Sequence, residues 1–100
     1  MATLITIWWR DIPMQVIARE GRTTAKRVLD RRFQIAVDKA AMKAGKKAYG
    51  DYIEEMRRAQ RPCGDDLEAE ARAEAERLDA AYTKEVLRDL VATGGEGPRL

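Results

Sequence analysis

The feature that most constrains the fold is an apolar run near the start of the chain, residues 4–9, with the sequence LITIWW. β-Branched and aromatic residues dominate this run, and both types are enriched in strands. Its apolar side chains fall on both faces of an extended backbone, which is typical of a strand covered on each side. We therefore predict a strand over residues 3–10 in the centre of a sheet.

Two more strands are predicted directly after the first. Pro13 fixes its own φ and lacks a backbone donor, so residues 11–13 are expected to form a turn. The apolar positions of residues 14–20 then predict a second strand, and Gly21 ends it. Residues 23–29 alternate loosely between polar and apolar types and predict a third, more exposed strand. Together these strands are expected to form an antiparallel meander.

Helical patterns follow the predicted strands. Asp30 is a suitable N-cap for a helix whose apolar residues recur at helical spacing up to Gly45. A second, shorter helix is expected from Asp51 to residue 61. Asp65 offers a capping box for a long third helix that continues to Gly94. The predicted fold class is α+β, with a small three-stranded antiparallel sheet (β-β-β) followed by two short helices and a long C-terminal helix.

Charge divides the chain into two parts. Residues 1–62 contain fourteen basic and seven acidic side chains, a net charge of +7. Residues 63–100 contain five basic and ten acidic side chains, a net charge of −5. We predict a basic α+β domain over residues 1–62 and an acidic C-terminal helix over residues 63–93 that packs on the domain or on a partner. Residues 94–100 are expected to be a flexible tail.

The composition excludes several kinds of chemistry. The chain contains no histidine and one cysteine, Cys63. An imidazole general base, a Ser-His or Cys-His nucleophile pair and a His-supported zinc site are therefore absent. We predict no catalytic residues, no metal and no cofactor, and only Cys63 leaves an enzymatic role open. The lone cysteine and the short first apolar run favour a cytoplasmic protein without a membrane partner.

The densest unusual cluster is the sequence Trp8-Trp9-Arg10-Asp11. Tryptophan and arginine are enriched among the residues that dominate binding energy at protein interfaces. We therefore predict that these four residues bind a partner. The alternative is that both tryptophans are packing residues and that Arg10 and Asp11 form an ordinary turn or ion pair.

Two further groups are candidate partner-binding residues. The first is a basic cluster that suits phosphates or an acidic protein surface, and its alternative is a solvated basic face. The second is the apolar stripe of the long helix, which could dock on a partner, pair with a second copy or pack on its own domain. The basic cluster contains the candidates Arg22, Arg27, Arg31 and Arg32 together with Lys26, and Lys43, Lys46 and Lys47 could extend it. The candidates on the apolar stripe are Leu78, Tyr82 and Leu87.

The sequence also resembles a known family, the small bacterial proteins called virulence factor, whose domain also occurs in conserved virulence factor C. The resemblance covers about residues 3–60 and implies no enzymatic activity. It also implies an association with corrinoid-dependent, folate-linked methyl transfer. The segments that carry it are residues 8–17 (WWRDIPMQVI), Gly21-Arg22, Arg32-Phe33, Asp38, Ala40-Ala41-Met42 and Ala44-Gly45.

From these observations we expect a non-catalytic accessory or subunit protein that binds a partner protein or a second copy of itself. The resemblance makes a corrinoid- or folate-linked methyl-transfer system its expected setting. The alternative is a nucleic-acid-binding regulatory protein that uses its basic face.

Overall fold

The sheet has four strands, and all of its pairings are antiparallel. The computed structural model describes residues 1–46 and 48–97. Its strands are β1 (Thr3–Trp9), β2 (Ile12–Glu20), β3 (Thr23–Val28) and β4 (Met56–Pro62). They lie in the order β3-β2-β1-β4, so β1 is paired along both edges. The α+β class is confirmed, but the sheet has one strand more than the three predicted.

The fourth strand occupies a stretch for which the sequence predicts the end of a helix. The helix there, α2 (Tyr49–Glu54), ends at its cap residue Glu55, and the chain continues into β4. All seven residues of β4 lie opposite residues of β1. Without β4, the second edge of the buried strand β1 would leave backbone N–H and C=O groups unpaired, which is costly. The prediction of a helix through residue 61 is therefore wrong, because pairing with the distant strand β1 makes residues 56–62 a strand.

The helix after β3 has the limits that the sequence predicts. In α1 (Arg31–Lys43), the Asp30 carboxylate accepts a hydrogen bond of 3.1 Å from the backbone N–H of Arg32. Gly45 follows the last turn with a φ of 72°, the left-handed conformation that is common after helix ends. The buried side of α1 faces the sheet and consists of Phe33, Ala36, Val37, Ala40 and Ala41.

Two helices replace the single long helix predicted after Asp65. One, α3 (Leu67–Ala81), packs against β2 and β3, and the other, α4 (Lys84–Ala92), packs against α1. The break lies at Thr83, whose Oγ1 accepts a hydrogen bond of 3.3 Å from the N–H of Val86 and caps α4. This cap turns the apolar stripe so that both helices face the core. The prediction of one long helix is therefore wrong.

Both parts of the chain supply one hydrophobic core. Val16 and Phe33 from the first part are buried in the same cluster as Leu78 and Leu87 from the second. The acidic segment after Cys63 thus packs onto the basic part of the same molecule. Lys47 and residues 98–100 of the expected tail lie outside the described residues.

The two faces of the sheet have different surroundings. Leu4 and Val16 lie on the face that α1 and α3 cover, which we call the helix face. On the opposite side, Tyr52 of α2 and Gly95 pack on Trp9, which register pairs with Ile12 and Met56. Over the remainder of that side, which we call the open face, the described residues show no packed helix, so most of the second covering layer expected for β1 is missing. Strand register assigns to the open face Thr3, Ile5, Ile7, Gln15, Ile17, Arg19, Thr24, Lys26, Val28, Arg58, Gln60 and Pro62.

Candidate binding groove beside Trp8

The two tryptophans at the end of β1 have different environments. Trp9 is fully buried, and its indole Nε1–H donates a 2.9 Å hydrogen bond to the carbonyl of Tyr52. Its ring also packs so closely on Gly95 that a side chain there would collide with it. Trp9 is therefore a core residue and is inaccessible to a partner. Trp8 lies on the helix face, is only partly buried, and borders a groove.

Arg10 holds three segments of the chain together. It has a φ of 51° in the two-residue turn between β1 and β2, a conformation that few non-glycine residues adopt. Its backbone N–H donates to the carbonyl of Glu55 at 3.0 Å. Its guanidinium donates to the Gly94 carbonyl at 3.1 Å and to the Glu55 carboxylate at 3.3 Å. These contacts stabilise the strained turn and leave Arg10 committed inside the molecule.

The hydrogen bond from Arg10 affects the pKa of the Glu55 carboxylate. The hydrogen bond from Arg10 lowers the pKa of Glu55 below its ordinary value, although partial burial opposes the change. Lys46 lies 3.7 Å from the same carboxylate and also lowers its pKa. Glu55 is therefore ionised at neutral pH and keeps Arg10 in place.

Asp11 fastens the segment after α4 to the same turn. Its backbone N–H donates to the Gly95 carbonyl at 2.9 Å. Its Oδ2 accepts a hydrogen bond of 2.7 Å from the N–H of Gly97, and its Oδ1 accepts one of 3.4 Å from Arg57. The described part of the expected tail, Gly94–Gly97, is thus bound to the β1–β2 turn. Burial of Gly94 and Gly95 agrees with these bonds.

Trp8, Arg57 and Tyr82 meet on the helix face. The Arg57 guanidinium lies over the Trp8 ring at 4.9 Å from the ring centroid, a favourable cation–π distance. Its Nε donates to the Arg10 carbonyl at 3.1 Å, which fixes the stack to the turn. The Tyr82 ring meets Trp8 edge to face at 6.1 Å. The Trp8 Nε1–H is buried and has no hydrogen-bond partner among the described residues.

Arg32 places Tyr82 at this site. Its Nη2 donates to the carbonyls of Asp79 and Tyr82 at 2.7 and 3.1 Å, at the end of α3. A cation that binds the last carbonyls of a helix is stabilising. Arg32 also lies over the Phe33 ring at 4.7 Å. Its guanidinium is thus used within the fold, and its role at the site is to hold the α3–α4 junction.

These elements enclose an open groove of about 1020 Å³, which we call the Trp8 groove. Its walls come from β1, β4 and α4 and from the α3–α4 junction. Val86 and Leu90 make one side apolar, while Arg57, Asp11 and Asp89 carry the charges. Burial raises the pKa of the Tyr82 phenol, and the Asp11 carboxylate raises it further. The main lining residues are Trp8, Arg57, Tyr82, Val86, Asp89 and Leu90.

The remaining predicted partner residues lie away from the groove. Leu78 and Leu87 are buried under α3 and α4 and are inaccessible to a partner. Arg22 and Arg31 are exposed in a turn and at the start of α1. Arg27 lies 3.8 Å from Glu68 in an ion pair across to α3.

Sequence reasoning found only part of the groove. It placed Trp8, Asp11 and Tyr82 among the partner-binding residues, and the structure brings these three together. The sequence does not indicate Arg57, because its pattern predicts a helix there, and it does not indicate Val86 as a groove residue, because it predicts no bend at Thr83. The alternation of β4 is too weak a signal to have indicated Arg57.

The potential metal ligands of residues 1–46 and 48–97 are dispersed. These residues contain no cluster of three or more His, Cys, Asp or Glu side chains that could hold a metal ion. Burial raises the pKa of the Cys63 thiol, and the nearby Glu70 carboxylate adds to the increase, which disfavours the reactive thiolate. In the same residues, no helix has the length and apolar character needed to cross a membrane.

A family model described as "Virulence factor" matches residues 7–91. The match includes the β1–β2 turn, β4, α3 and nearly all of α4. The chain belongs to the virulence factor family. No curated protein and no solved structure matches the chain. The family domain reaches well beyond residue 60, where the resemblance noted from the sequence ends, so α3, nearly all of α4 and most of the Trp8 groove belong to it.

Proposed function

We propose that this virulence factor family member is a non-catalytic subunit that holds a segment of a partner protein in the Trp8 groove. The observation that carries the proposal is the meeting of Trp8, Arg57 and Tyr82 in one open groove. Tryptophan, tyrosine and arginine are the residue types that dominate binding energy at interfaces, especially around a partly desolvated pocket. The Trp8 groove combines all three.

The groove offers specific contacts to a polypeptide. The buried Trp8 Nε1–H has no acceptor among the described residues, and an unpaired buried donor costs free energy. A partner carbonyl would recover that free energy if the side chains around the indole shifted on binding. Val86 and Leu90 supply an apolar wall for a side chain of the partner. Asp89 is exposed at the rim and can bind a basic group.

A binding role also agrees with the chemistry of the chain. The chain has no histidine, and the raised pKa of its one thiol disfavours nucleophilic catalysis. A partner in corrinoid- or folate-linked methyl transfer is part of the same proposal and rests on the family resemblance alone. Cytoplasmic location and self-association stay predictions.

The test combines capture with direct binding. The tagged full chain is used to capture proteins from its native cell, and a captured partner is then purified and titrated. Val86→Asp places a charge on the apolar wall at a residue that is 38% exposed, so it should leave the fold intact. We expect it to weaken partner binding about tenfold or more, equivalent to about 1.4 kcal/mol.

The matched control is Tyr49→Asp, a change at a residue that is 82% exposed and lies outside the groove. It should leave the affinity within about twofold, as expected for a substitution outside the binding site. Equal binding of the wild type and Val86→Asp would contradict the proposal. The complex of this chain with its partner could also be assayed for catalysis. Turnover that requires the Cys63 thiol of this chain would contradict a non-catalytic role.

The nucleic-acid alternative stays a prediction, but its basic surface differs from the one expected. Arg27, Arg32 and Lys46 form ion pairs with carboxylates, and Lys47 lies outside the described residues. Lys26 and Arg27 point to opposite faces of β3. Lys26 and Arg27 therefore do not belong to one continuous patch. Fluorescence anisotropy with mixed DNA and RNA at low salt tests the alternative.

A further inference from the structure

The two faces of the sheet sort the strand cations into paired and unpaired groups. On the helix face, Arg27, Arg57 and Arg61 each have a carboxylate within 4.0 Å, from Glu68, Asp11 and Glu74 respectively. On the open face, Arg19, Lys26 and Arg58 have no carboxylate within that distance among the described residues. The unpaired strand cations thus lie on one side of the molecule.

The charges of the open face all have the same sign. Its three charged residues, Arg19, Lys26 and Arg58, are basic and exposed, and its strand positions include no carboxylate. Like charges on one face repel each other unless an anion lies between them. The electrostatics of this face therefore favour a negatively charged occupant.

The open face also has an apolar row. Ile5 and Ile7 are only 1% and 6% exposed, although they lie outside the core under the helices. Neighbouring side chains of the same face must cover them, because the sheet has no second layer there among the described residues. Val28, at the edge strand of this face, is 72% exposed. A bound segment with aliphatic side chains can bury Val28. It can also take the place of the neighbouring side chains that cover Ile5 and Ile7.

We propose that the open face docks an acidic, amphipathic segment of a partner protein. Its carboxylates pair with Arg19, Lys26 and Arg58, and its aliphatic side chains pack on Ile17 and Val28. A second copy of this face is a poor occupant because it would bring like charges together. Nucleic acid is also disfavoured, since no aromatic side chain lies on this face to stack with bases.

This proposal is independent of the Trp8 groove, which lies on the opposite face of the sheet. The probe is a fluorescein-labelled amphipathic peptide with a leucine stripe flanked by glutamates. Fluorescence anisotropy measures its binding to the full chain at about 50 mM and 200 mM salt. A single-stranded RNA of similar length and a leucine-free glutamate peptide are titrated in parallel.

We expect the amphipathic peptide to bind more tightly than both other probes, and less tightly at the higher salt concentration. Arg19→Gln combined with Arg58→Gln should weaken its binding about tenfold. Val28→Ser should also weaken it, whereas the matched change Arg72→Gln, at an exposed residue of α3, should not.

Other outcomes would overturn the proposal. Tighter binding of RNA than of the amphipathic peptide would assign the face to nucleic acid, and equal loss with Arg72→Gln would show non-specific attraction. Absence of any binding would also reject it. Val86→Asp in the Trp8 groove should leave peptide binding unchanged, so failure of the open face and failure of the groove are distinguishable.

Discussion

Substitution of Gly95 by alanine should destabilise the protein strongly because the new side chain would collide with the Trp9 ring. A Cβ on Gly95 would lie 2.8 Å from Cζ3 and 3.2 Å from Cε3 of the Trp9 ring. The ring cannot move away easily, since it is fully buried and hydrogen-bonded to Tyr52. The Gly95 backbone is fixed as well, because its carbonyl accepts a hydrogen bond from Asp11.

Two effects add at this position. Overpacking of a close-packed core costs about 1–3 kcal/mol. Gly95 also has a φ of +92°, and an L side chain in a positive-φ conformation costs about 1–2 kcal/mol. We therefore expect Gly95→Ala to lower the free energy of unfolding by about 2–5 kcal/mol, a large part of the about 5–15 kcal/mol of a typical domain.

Gly21→Ala is the matched control because it separates the two effects. Gly21 also has a positive φ, +59°, but a Cβ there would meet no atom within 4 Å. It should cost only the conformational part, about 1–2 kcal/mol. Urea unfolding of both variants, followed by tryptophan fluorescence, gives the two free energies. A Gly95→Ala variant as stable as Gly21→Ala would refute the packing of Gly95 on Trp9.

Two further predictions concern titratable groups. Hydrogen bonds from Arg77 at 2.6 and 2.7 Å lower the pKa of the buried Glu74 carboxylate below its ordinary 4.5. The ionised Glu74 should therefore stabilise the folded state fully above pH 4.5. This stabilisation should be lost as the pH falls through the lower pKa of the folded state. Urea unfolding should therefore show that Glu74→Gln costs about 1–2 kcal/mol at pH 7 and that this cost shrinks as the pH is lowered below 4.5; a cost that does not change with pH would contradict the ion pair. For Cys63, whose pKa is raised by burial, alkylation by iodoacetamide at pH 8 should be slower in the folded chain than in urea, and equal rates would contradict its burial.

The sequence predicts those parts of the fold that local signals decide. The apolar run of β1 and the Asp30 cap and Gly45 of α1 act within a few residues, and the structure agrees with all of them. The seven residues of β4 carry no comparable signal. They form a strand because β1, about fifty residues earlier, has an edge that needs a hydrogen-bonding partner.

The difference between local signals and long-range pairing also explains which site residues the sequence indicates. Trp8, Asp11 and Tyr82 stand out by residue type, so the sequence indicates them directly. Arg57 becomes part of the groove only when β4 pairs with β1 and places it opposite Trp8. Likewise, Lys26 and Arg27 are neighbours in the sequence, where their spacing predicts one basic patch. In the structure they lie on opposite faces of β3.

The hydrogen bonds between the β1–β2 turn and Gly94–Gly97 can form only late in protein synthesis. Arg10 and Asp11 bind partners that lie 84 and 86 residues later in the chain. At about 5–20 residues per second, the ribosome needs about 4–17 s to make that stretch. During this time Trp9 lacks Gly95 and the Trp8 groove lacks α4. A nascent chain therefore exposes both tryptophans to chaperones, and the groove forms only after the segment that closes it has left the ribosome.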